Sequence, residues 1–68
     1  MLVQNSSQPL YDQLKQIIIS KILSGQYKHG QRLPSETQLA EMYGISRITV
    51  MRALAELEAE GYLSTQQG

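Results

Sequence analysis

Apolar and polar positions follow a helical period along most of the chain. Leu10, Leu14, Ile17, Ile18 and Ile22 recur at spacings of three and four, and Leu23 broadens the stripe. Pro9 suits a first helical turn, because it has no amide hydrogen to leave unpaired. Gly25 is the natural stop, so the pattern predicts a core-packing helix between these two residues. Residues 33–63 then read LPSETQLAEMYGISRITVMRALAELEAEGYL. Pro34 ends what precedes it, since proline fixes its own φ. Ser35 with Gln38 forms the S-x-x-Q capping box that opens a second helix. Leu39, Ala40 and Met42 or Tyr43 supply that helix's apolar side, and Gly44 stops it. Only Gly44 and Ile45 precede the next cap, Ser46. A third helix is expected over residues 47–60, ended by Gly61, with Val50, Ala53, Leu54 and Leu57 on its buried side. At about 3.6 residues per turn, Ile48, Arg52, Ala55 and Ala59 fall opposite, with Thr49 and Met51 on the flanks. After Gly61 the pattern shortens. Tyr62, Leu63 and Thr65 favour a strand, and Gln67-Gly68 read as the turn of a hairpin whose second strand is truncated. Arg32-Leu33 is a candidate short partner strand.

The outward face of the third helix changes along its length. Its first half offers Arg47, Ile48, Thr49 and Arg52; its second half offers Glu56, Glu58 and Glu60. Phosphates repel carboxylates, so only the first two turns suit a nucleic acid, and recognition helices commonly read bases with their N-terminal residues. Ile48 is odd in water but suits contact with a thymine methyl. Two helices joined by a glycine turn also serve in many small helical proteins, and exposed arginines are ordinarily solvated. The pattern alone therefore leaves DNA reading and plain packing open. Tyr11 and Lys15 could touch a DNA backbone from the outer side of the first helix, with solvation as the default.

Charge sharpens the question. Six basic and six acidic residues sum to zero over 68 residues, which counts against a DNA binder. The charge is segregated, however. Lys28, Arg32, Arg47 and Arg52 face only Glu36 and Glu41 across residues 28–52, while residues from 53 onward carry three glutamates and no base. Few phosphates can be neutralised by one copy, so non-specific binding is expected to be weak and a dimer would double the contacts. At this length the chain is one small domain with a modest core. The sequence has no cysteine, which fits a reducing cytoplasm, and the N-terminal residues lack the pattern of a signal peptide. Its longest isoleucine run, Ile17 to Ile19, is far too short to cross a membrane. His29, the only histidine, has no cysteine or second histidine for a metal site and reads as a solvated turn residue. With no cysteine nucleophile, no plausible serine–histidine–acid set and no glycine-rich phosphate loop, neither an enzyme nor a cofactor is expected.

The combination LPSE, LA, YGISR, TV, AL and EGYL, preceded by PLYDQLKQIIISKILSGQYKHGQ, closely resembles the N-terminal domain of the GntR family of bacterial transcription regulators. ISRITV, without proline after the threonine, looks most like the HutC-type branch. The resemblance covers residues 9–68 and implies a mainly α fold with a small β wing. This is a winged helix-turn-helix of three helices plus a short antiparallel sheet, here occupying residues 1–68. It implies binding to double-stranded, palindromic operator DNA, more often as a repressor than as an activator. A homodimer in the full-length protein is implied too, with a small-molecule effector bound by a C-terminal domain that this chain lacks.

Residue by residue, the resemblance makes Arg47 the arginine that reads a base, typically guanine, and Thr49 a DNA-contacting threonine beside Ser46 and Ile48. Ser35 and Glu36 match a helix start whose amides face a phosphate. Gln67 and Gly68 match the wing tip in the minor groove. Thr37 and Met51 stand where the family often has arginine, with Arg52 next to the second loss. Both replacements remove positive charge from the expected DNA face and imply a different operator preference or weaker binding. The runner-up reading is a winged helix that binds protein and not DNA, a class that zero net charge would suit.

Overall fold

In the computed structural model, the described residues are 2, 7–27 and 33–63. They form three helices: α1 (Leu10–Leu23), α2 (Glu36–Tyr43) and α3 (Arg47–Ala59). The expected order and lengths hold, and each boundary has a local cause. Pro9 lies just outside α1, with an extended ψ, and its carbonyl accepts from the Asp12 and Gln13 amides at 3.1 Å. Ser35 caps α2. Its hydroxyl accepts from the Gln38 amide at 3.1 Å, and the Gln38 side chain accepts from the Ser35 amide at 2.8 Å, so the capping box closes in both directions. Gly44 ends α2 at φ +67, where a side chain would be strained, and its amide returns to the Ala40 carbonyl.

The α2–α3 turn is set by consecutive small devices. The Ile45 amide also bonds Ala40, at 3.1 Å, and Ile45 itself packs against the core. Ser46 then caps α3, accepting from the Thr49 amide at 3.1 Å. At the far end, the Gly61 amide bonds the Glu58 carbonyl at 3.1 Å and the Tyr62 amide bonds Leu57 at 2.9 Å. This is a Schellman closure, with Gly61 at φ +89. It explains why Tyr62 and Leu63 are bends and not yet strand: their amides still serve the helix end. No strand occurs among the described residues, and Arg32, His29 and residues 64–68 lie outside them, so the expected sheet and wing are not described.

The core is Leu14 and Ile18 from α1, Leu39 from α2, and Val50, Ala53 and Leu57 from α3, with Leu2 added from the N-terminal segment. Leu10, Ile17, Ile22, Tyr43 and Leu54 are partly buried around it. Leu23, expected to broaden the α1 stripe, is 76% exposed, because at about 100° per residue it lies roughly 140° round the helix from buried Ile18. Both α1 and α2 pack on α3, while their own backbones stay apart. Helix α3 is therefore held along two flanks, and its remaining side is presented outward.

Candidate nucleic-acid interface

Two helix N-termini lie side by side at one end of the domain. Glu36 opens α2 and Arg47 opens α3, and the Arg47 Nη2 stands 3.6 Å from the Glu36 Oε1. Both side chains remain substantially exposed, at 63% and 41%, so the contact is a loose tether that a phosphate or base edge can displace. Ser35 and Thr37 are exposed beside Glu36. Ser46 is exposed at the mouth of α3, and its hydroxyl lies 2.9 Å from that of Thr49, with either able to supply the hydrogen. Thr49 is half-buried against this cap. Ile48 points fully outward at 79% exposure, and Met51 follows one turn on at 48%. The structure thus brings Ser35, Glu36, Thr37, Ser46, Arg47, Ile48, Thr49 and Met51 to the surface around the two helix starts. Gln67 and Gly68 lie outside the described residues.

Arg52 is exposed too, with 60% of its side chain in solvent, but it is not a free cation. Its guanidinium lies over the Tyr11 ring, 3.8 Å from the centroid, and its Nε donates to the Glu56 Oε2 at 3.3 Å. Stacking and pairing both turn it along the flank that faces α1.

Lys15 is the larger correction. The default of solvation, and the alternative of a DNA-backbone contact, both fail, for it is only 7% exposed. Its ammonium donates to Glu56 Oε1 at 2.9 Å and to Glu60 Oε2 at 2.7 Å, tying α1 to the C-terminal half of α3. The hydrogen bonds to Glu60 and then Glu56 hold Lys15 above the usual lysine range, and the Lys15 hydrogen bond holds Glu56 below the usual carboxylate range. Glu56 and Glu60 therefore belong to the α1 seam and not to the outward face. No signal local to either helix could have paired them, because the partners are 41 and 45 residues apart along the chain. Ile45 did carry a readable signal: an apolar residue immediately before a cap commonly pins the chain's entry into a helix. Among the described residues no cluster of metal-binding side chains occurs, and no helix is long and apolar enough to cross a membrane.

Residues 10–68 match the family described as bacterial regulatory proteins, gntR family. The whole chain is 52% identical to the HTH-type transcriptional regulator YurK of Bacillus subtilis, covering 28% of that protein. Over 60 residues, or 88% of the chain, it is 47% identical to the histidine utilization repressor of Pseudomonas aeruginosa, covering 24% of it. Over the same length it is 50% identical to the arabinose metabolism transcriptional repressor of Geobacillus stearothermophilus, covering 16% of it. The chain thus spans less than a third of the length of these relatives.

Proposed function

The chain belongs to the GntR family of bacterial regulatory proteins, and from that membership we propose that it is the sequence-reading, DNA-binding domain of a transcriptional repressor. The observation that carries the reading is the juxtaposition of Arg47 and Glu36 at two adjoining, exposed helix starts. An arginine at the first position of an outward helix can enter a major groove end-first and donate both arms of its guanidinium to guanine O6 and N7. The amides at the start of α2, beside Ser35 and Glu36, suit a backbone phosphate. Ser46 and Thr49 fix the first turn of α3, so Arg47 leaves a rigid stem and loses little freedom on binding.

Several finer features belong to the same proposal. The operator is palindromic and read by a homodimer in the cytoplasm, with Gln67-Gly68 at the minor groove. A further domain of the full-length protein binds a small effector. The relatives include repressors of histidine utilization and of arabinose metabolism, which supports repression in response to a metabolite.

The test is selection of bound duplexes from a random pool, followed by salt titration on the enriched sequence. An enriched two-fold symmetric motif whose affinity falls steeply with salt is expected. Arg47→Ala should cost about 1–3 kcal/mol on that duplex and relax preference at one base position per half-site. Unchanged preference in the variant would refute the role of Arg47. An interaction indifferent to salt would point instead to a protein partner.

A further inference from the structure

Helix α3 carries two apolar stripes, not one. The first, Val50, Ala53 and Leu57, is buried. The second runs Ile48, Met51 and Ala55, at spacings of three and four, and all three residues are exposed. Among the described residues no element packs on the second stripe, since α1 and α2 take the two flanks of α3. Ile48 at 79% exposure leaves nearly a whole branched side chain in water.

The surroundings narrow the choice of occupant. The stripe begins next to Arg47, in the two turns of α3 that contain no carboxylate. Of the acidic groups around α3, Glu36 is tethered by Arg47, and Glu56 and Glu60 are drawn onto Lys15. The occupant therefore presents apolar groups set among negative charge. A protein groove rarely does so, whereas the DNA major groove does. There the C5-methyl of thymine is the apolar feature of the base-pair edges, flanked by phosphates.

Resting on the DNA reading above, we infer that Ile48 and Met51 are specificity-determining residues that read thymine by packing on its C5-methyl, beside the base held by Arg47. The arginine then selects by hydrogen bonds and the stripe by methyl contact, so thymine is required at positions where no polar side chain touches the base.

The test uses the intact protein and the duplex selected from a random pool. Each thymine is replaced in turn by deoxyuridine, which removes the methyl and keeps every hydrogen-bonding group. At one or two positions per half-site, binding should weaken about fourfold, the factor equivalent to about 0.8 kcal/mol per buried carbon group. In Ile48→Ala or Met51→Ala the corresponding thymine and uracil duplexes should bind equally. Both residues are exposed, so the variants retain the core, and an unchanged melting temperature checks this. If no replacement matters while Arg47→Ala still relaxes the motif, the inference fails and the DNA reading stands. If the methyl effect persists undiminished in Ile48→Ala, Met51→Ala and the double variant, or if these variants change the association state of the free protein, the stripe has another occupant and the inference is overturned. Failure to enrich any sequence would sink both proposals together.

Discussion

Single residues decide where this small domain spends its charge. Lys15 draws two carboxylates of α3 onto α1, and Arg52 is folded back onto Tyr11. Arg47 is left as the cation at the outward start of α3. The pH response of the Lys15 clamp has a definite sign. Glu56 is depressed in the fold, so its contribution is complete above the ordinary carboxylate value of 4.5 and is lost as pH falls through its lower folded value. Lys15 is raised, so its contribution is complete below the ordinary 10.5 and is lost as pH rises through its higher folded value. Lys15→Met should therefore melt below the wild type at neutral pH, and the gap should close on acidification below 4.5. Melting curves followed by circular dichroism across pH check this; a gap that stays constant would mean that Lys15 acts by packing its stem alone. Met51→Arg should raise non-specific DNA affinity and steepen its salt dependence by about one unit of slope, the signature of one added phosphate contact, while losing any methyl preference that Met51 confers.

At the level of elements, what was legible in the sequence is what is written locally. Ser35 with Gln38, Gly44, Ser46 and Gly61 each complete their geometry within five residues, and all four boundaries occur where the chain announces them. The Lys15 seam was not legible, because helical period tells which residues share a face but not which helix that face meets. It also left Glu56 and Glu60 on the outward side, although they flank α1. The exposed set around Arg47 was legible because Ser35 and Ser46 cap two helices whose first turns hold most of it. The wing lies outside the described residues. Gly44 allows a direct test of local control. A methyl group there meets no atom within 4 Å, so Gly44→Ala strains only the left-handed backbone. The expected cost is about 1–2 kcal/mol. In a domain of this size each kcal/mol lowers the melting temperature by about 4–8 °C. Ser46→Ala should cost about 1 kcal/mol through the lost cap, and it should also weaken DNA binding more than Ser35→Ala, since it frays the turn that carries Arg47. Equal losses of binding in the two variants would contradict that assignment.

At the scale of the molecule, the seven buried apolar side chains among the described residues make a small core with little reserve. Leu57 is fully buried on α3, and Leu57→Ala should remove about 2–5 kcal/mol, comparable with the entire stability expected of such a domain. A chemical denaturation curve should show a substantially unfolded population before any denaturant is added. The larger consequence follows from the arrangement in which the backbones of α1 and α2 each pack closely on α3 but not on each other. The middle helix is at once the structural axis and, on the proposed reading, the part that meets DNA. Detaching either outer helix strips one side of it, so the amides at its centre should exchange with deuterium only when the whole domain opens, more slowly than those of its neighbours. If that exchange pattern holds, α3 does not let go of its neighbours on its own. On the proposed reading, release from DNA is then expected as a displacement of the whole domain with its shape intact, driven by leverage on its position.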